Sequence, residues 1–222
     1  MPRIPLIEDL TSGSIPPGSN LLVEFDPASQ WYNASLAIAA GWLKGGGRIW
    51  YFVNVQPPDN IRMQLRSLGV PVEELERDDK LRIHDIFTAT LGQKSKEKYA
   101  DESLKVQNMS IKFSREDMRR PPEPDLLRIA DNASTIARFN DEKAWVEFLL
   151  TRGLPAGSMQ KLIGIRGIAK GVHSEWVYKQ LETAADGIID FKLDETVDPP
   201  QNLIRGQKSR SRRDRKRDIC AL

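Results

Sequence analysis

The sequence holds one cysteine, Cys220, and two histidines, His84 and His173. A single thiol excludes an intramolecular disulfide and any cluster of cysteine ligands, and neither histidine has a second one at metal-binding spacing. No metal site follows from the pattern, and both histidines are expected at the surface or at caps. No run of about 18 apolar residues is present, the length a helix needs to cross a bilayer. The N-terminus lacks the charged and apolar parts of a secretory signal, so a cytoplasmic location is expected. There is no internal repeat. Nor does a Gly-x-Ser-x-Gly elbow surround Ser134 and Thr135, which leaves nucleophilic catalysis without support.

What is present suits one α/β domain. A chain of 222 residues is long enough to bury an independent core. Its net charge of +2 is unevenly placed: residues 204–222 carry eight Lys or Arg and two Asp, and residues 1–203 are mildly acidic. The reading is therefore a single domain over 1–203 and a basic tail over 204–222, too charged to form a core and expected to be disordered.

Short apolar runs alternate with helical stripes along the body. Strands are expected at 21–25, 48–55, 80–84, 126–131 and 160–165, with helices at 33–44, 59–69, 70–77, 141–153 and 172–185. Asp59 or Asn60 is expected to cap the second helix, and Trp176, Val177, Leu181 and Ala184 to face inward on the last. Residues 93–124 read as a polar insertion or flap with one strand-like patch at 109–113. Strands separated by helices predict a mostly parallel, right-handed sheet.

Two segments resemble a known family. Gly13-Ser14-Ile15-Pro16-Pro17-Gly18-Ser19 followed by Leu22-Val23-Glu24, and Ala184-Ala185-Asp186-Gly187-Ile188-Ile189-Asp190-Phe191, look like the entry turn and a late segment of KaiC-like ATPases in the RecA superfamily. The resemblance implies a P-loop NTPase fold, with a mostly parallel sheet flanked by helices. It also implies a G-x-x-x-x-G-K-[ST] loop directly after the first strand. Set against that loop, Phe25 and Gln30 replace the glycines, Trp31 the lysine and Tyr32 the Ser or Thr, with Asp26, Pro27, Ala28 and Ser29 between. The glycines admit phosphate close to the backbone, the lysine neutralises it, and the small hydroxyl ligates Mg²⁺. None of the four replacements does the same work.

The resemblance extends to three other places. Val55 and Gln56 fall where the family has an acidic pair that activates water, and neither is a useful base. Asp131 matches the Walker B aspartate, and Lys161, Arg166 and Lys170 lie near where basic residues reach a neighbour's nucleotide. Together these point to a non-catalytic pseudo-ATPase that regulates or scaffolds through a protein partner or homo-oligomer, with no cofactor expected. The alternative is an ATP-binding or ATP-hydrolysing protein with an unusual loop, Asp131 on Mg²⁺ and Trp31 or Tyr32 against the base. A third reading is non-specific, salt-sensitive nucleic-acid binding through Arg205, Lys208, Arg210, Arg212, Arg213, Arg215, Lys216 and Arg217, among which no aromatic residue is available for stacking.

Overall fold

Nine apolar or alternating segments become strands in the computed structural model, which describes residues 8, 15–116, 120–194, 196, 201–209 and 218–221. They are β1 (Asn20–Phe25), β2 (Arg48–Val53), β3 (Leu81–Asp85), β4 (Tyr99–Ala100), β5 (Leu126–Ala130), β6 (Ile163–Ala169), β7 (Gly187–Asp194), β8 (Gln201–Ser209) and β9 (Asp218–Ala221). The helices are α1 (Trp31–Lys44), α2 (Pro58–Ser67), α3 (Val72–Arg77), α4 (Phe87–Thr90), α5 (Val106–Glu116), α6 (Ser134–Ala137), α7 (Glu142–Phe148), α8 (Leu154–Met159) and α9 (Glu175–Ala184). A π-helical turn, Leu149–Gly153, joins α7 to α8. Gly13 and Ser14 of the entry turn lie outside the described residues.

The strands form one sheet in the order β4-β3-β2-β5-β6-β1-β7-β8-β9. Every pairing from β4 to β7 is parallel, and β7-β8-β9 continues antiparallel. Because side chains alternate along a strand, the sheet has two distinct faces. On the first, Val23, Ile49, Tyr51, Val53, Ile129 and Ile165 pack against Leu36 and Ala39 of α1, Ile61 and Leu65 of α2 and Val72 of α3. On the second, Leu22, Ile168 and Ile188 meet Trp145 and Val146 of α7, Leu149 of the π-turn, and Val177 and Leu181 of α9. Each of these large side chains contributes about 1.5–3 kcal/mol by leaving water.

Several expectations change. The patch at 109–113 belongs to α5, since Val106, Met109 and Phe113 recur at helical spacing and the first two are buried. Pro58 opens α2, and no side chain caps it, neither Asp59 nor Asn60. Trp176 is 44% exposed instead of facing inward. β6 spans Ile163–Ala169 instead of 160–165, and its Gly164 and Gly167 both sit against close neighbours. The basic tail does not begin outside the domain: β8 holds Arg205 and Lys208, with Asn202 and Ile204 buried in alternation. Arg210, Arg212, Arg213, Arg215, Lys216 and Arg217 lie in sequence between β8 and β9 and outside the described residues. Among the described residues no helix is long and apolar enough to cross a membrane.

Candidate functional site

The connection between β1 and α1 contains Asp26, Pro27, Ala28, Ser29 and Gln30. It is tied at each end. Asp26 N donates to Phe191 O at 2.9 Å, Ser29 N to Asp26 O at 2.9 Å, and Lys170 N to Phe25 O at 2.9 Å. Gln30 N donates to the side-chain oxygen of Asn202 on β8 at 2.9 Å, so the C-terminal segment completes the loop. Lys170 also pairs with Asp26 at 3.1 Å and with Asp190. Lys170 is thus engaged within its own chain.

Trp31 opens α1 and is buried. Its indole stacks on Phe25, with centroids 6.2 Å apart and planes 27° apart, and meets Phe191 edge-on at 5.8 Å. Such aromatic pairs add about 0.5–1.5 kcal/mol beyond the area they bury. Trp31 Nε1 donates to Asp131 O at 2.8 Å. The fit requires Gly167, because a Cβ there would fall well inside contact distance of both Asp131 O and Trp31 Nε1.

Asp131 follows β5 and is buried. Its Oδ1 accepts from Asn54 N at 3.0 Å and from Asn54 Nδ2 at 2.8 Å. Burial dominates these bonds and lifts the carboxyl to about 7. Tyr32 lies nearby with its hydroxyl buried and without a partner, and burial together with the Asp131 charge pushes its ionisation well upward. Among the described residues, no three His, Cys, Asp or Glu side chains converge as a metal site would require.

Beside this loop lies a cleft of about 580 Å³ lined by Trp31, Tyr32, Val55, Asp131, Arg138 and His173, among others. Val55 is 50% exposed at its edge, and Gln56 Oε1 accepts from Asn60 at 3.4 Å. His173 is not a surface residue. Its Nε2 lies 2.8 Å from Ser134 Oγ, its Nδ1 lies 3.3 Å from Glu142 Oε1, and its ring stacks on Trp145 at 4.9 Å. The Ser134 hydroxyl also accepts from Ala169 N, while the Ser134 and Thr135 N–H groups are both taken up by Asn132. With those donors engaged, the trio fastens α6 to the loop before α9. His84 is also buried, bonded to Asp101 at 3.0 Å and stacked on Phe52 at 4.4 Å. Arg166 lies within β6 and is buried, and Lys161 occupies the turn before that strand with φ 55°.

No family model and no curated protein matches this chain. A KaiC-like protein from the hyperthermophilic archaeon Pyrococcus horikoshii superposes with a TM-score of 0.67 at 18% identity, covering 99% of this chain and 92% of that one. The chain has the KaiC-like fold. The flagellar accessory protein FlaH from Methanocaldococcus jannaschii gives a TM-score of 0.70 at 17% identity, covering 96% of this chain and 89% of FlaH. The KaiC-like fold places the β1–α1 loop, the end of β5 and the end of β2 around one cleft. Phe25, Trp31, Tyr32, Val55 and Asp131, singled out in sequence, meet there. Asn54, Gly167, Phe191 and Asn202 were not singled out, and only Phe191 lay within a recognised segment.

Proposed function

We propose that this chain is a non-catalytic protein of the KaiC-like fold, a pseudo-ATPase that regulates or scaffolds through protein contacts in the cytoplasm. The observation that carries this reading is the placement of Trp31. At the position set against the phosphate-binding lysine, an uncharged indole is buried between Phe25 and Phe191 and bonded to the Asp131 carbonyl. Withdrawing it to admit phosphate would dismantle that stack. Nor do the neighbouring residues fit MgATP: Phe25 and Gln30 carry side chains where glycine is needed, and the Asp131 carboxyl is engaged by Asn54.

Protein contact is supported by the cleft's rim, where Val55 and Val172 are 50% and 55% exposed. A Val55→Glu, Val172→Glu variant should lose self-association or partner binding in sedimentation without losing its fold. Calorimetric titration with ATP and Mg²⁺, repeated with ADP, tests the central reading. No heat up to about 1 mM ligand is expected, a ceiling of about −4 kcal/mol. Micromolar, Mg²⁺-dependent binding would overturn it and favour the ATP-binding alternative, for which the open cleft, Asp131 and Arg138 are the supporting features. Nucleic-acid binding by the basic run is tested by changing Arg210, Arg212, Arg213, Arg215, Lys216 and Arg217 to Gln, which leaves β8 and β9 unaltered. Unchanged affinity would remove that reading.

A further inference from the structure

The second face of the sheet encloses a cavity of about 310 Å³, separate from the cleft beside Trp31. Its aromatic side is built from Trp50 and Phe52 of β2, His84 of β3 and Tyr99 of β4. Met109 and Phe113 of α5 and Phe148 of α7 give it an apolar wall. Between them come cations: Arg128 from β5, Arg166 from β6, Lys112 from α5, and also Arg120 and Lys98. Among the described residues of the wall the one acid, Asp101, is already engaged by His84 at 3.0 Å and Lys112 at 2.8 Å.

Arg166 is the group that needs explaining. It is 8% exposed, and its guanidinium donates to Asn20 Oδ1 at 3.1 Å and to Gly153 O at 2.6 Å, both neutral acceptors. Burial, and then the charge of Arg128, pull it down to about 9. A buried charge without an opposite charge is among the costliest arrangements in a protein, and a strand position such as this one accepts leucine or methionine readily. Arg82, on the same face, shows the ordinary solution: it is paired with Asp79 at 2.7 Å and Glu123 at 3.3 Å.

One further donor shares the cavity's deficit. Trp50 Nε1 is buried without a hydrogen-bond partner, Trp50 being 1% exposed. An indole N–H can only donate, so the partner missing at Trp50 is an acceptor. A guanidinium likewise has more donors than the two acceptors of Arg166 use. Donors and positive charge on one side and apolar rings on the other describe an acceptor-rich, negatively charged guest with an apolar body.

We propose that this cavity binds a small organic oxyanion, a carboxylate or phosphate monoester bearing one compact apolar group. Arg166 and Arg128 hold the charged head, and Met109, Phe113 and Phe148 contact the body. The volume sets the size, since ligand cavities run from roughly 300 to 1,000 Å³ and this one suits a single ring or short chain, not a nucleoside triphosphate. Asn54 lines the cavity and also donates to Asp131, so an occupant would sit directly behind the cleft. The site stands whether or not that cleft binds nucleotide, and the ATP titration and the one below fail independently.

The test is calorimetric titration of the full chain with benzoate, phenyl phosphate and neutral benzamide. At least one anion should bind with Kd below about 1 mM, and benzamide at least about tenfold more weakly. Preference for phenyl phosphate assigns a phosphate ester, and preference for benzoate a carboxylate. Arg166→Met should weaken the anion at least about tenfold, and Met109→Trp, which fills the space with every cation in place, should do the same. If Arg166→Met does not fold, Met109→Trp decides. Absence of anion binding up to about 10 mM, equal binding of benzamide, or unchanged affinity in folded Met109→Trp overturns the proposal.

Discussion

The two faces of the sheet are made from the same strands and have opposite characters. On β2, Ile49, Tyr51 and Val53 join the solid core under α1, α2 and α3, while Trp50, Phe52 and the following Asn54 line a cavity on the other side. On β5, Leu127 and Ile129 are core, and Arg128 between them belongs to the cavity. On β6, Ile163 joins the solid core and Arg166 lines the cavity. One face is packed solid beneath its helices, and Trp31 belongs to that packing. The other has kept charge and open space. Apolar filling stabilises a fold without need of a guest; buried cations do so only when answered.

The contrast can be broken from the filled side first. Trp31→Ala removes the centre of the Phe25–Trp31–Phe191 stack and should cost about 4 kcal/mol in urea unfolding, the usual range for deleting a buried tryptophan. A loss below about 1 kcal/mol would mean that the loop does not depend on it.

Next comes Asp131, which marks the border between the two spaces. Burial lifts its carboxyl to about 7, above the ordinary value of 3.8, so the folded chain holds the proton more tightly than the unfolded one. Its contribution is therefore fully present below pH 4, is lost as pH rises through 7, and is level above that. Stability should fall by roughly 3 kcal/mol between pH 4 and pH 8 on this account, and Asp131→Asn should flatten that fall. An unchanged slope in the variant would assign the pH dependence to other groups, among them Glu24, which burial and Glu182 also raise to about 7.

Gly167→Ala tests the closeness of the packing and should cost about 2 kcal/mol through overcrowding. The smallest effect sharpens the comparison from the hollow side. Without a bound anion, Arg166→Met should stabilise the protein by about 1 kcal/mol, since it replaces an unanswered buried charge with an apolar side chain. A marked loss instead would show that the bonds to Asn20 and Gly153 outweigh the burial of the charge.

Much of the fold was legible because core strands are short apolar runs between Gly and Pro punctuation. β1, β2, β3 and β5 fall within two residues of expectation at each end. Trp31 and Asp131 were also legible as positions. Their partners were not: Asn54, Gly167 and Asn202 come from distant segments, and nothing in their neighbourhoods marks them. The second face did leave a trace. Leu81-Arg82-Ile83 and Leu127-Arg128-Ile129 repeat an apolar-basic-apolar alternation that a reading of strands buried on both faces passes over. In the C-terminal segment, the density of charge hid the alternation of Asn202 and Ile204 that draws β8 into the sheet.

Trp31 and Gly167 also constrain one another as a pair. They come from β6 and the start of α1, far apart in the chain, yet they occupy a single volume with room for one large side chain. A side chain at 167 can be accommodated only if the residue at 31 is made smaller in the same step. Placing lysine at 31 alone would leave a void against Phe25 and Phe191 and would bury an ammonium beside them. The two positions are therefore coupled in this fold, since an indole at 31 and any side chain at 167 compete for the same space.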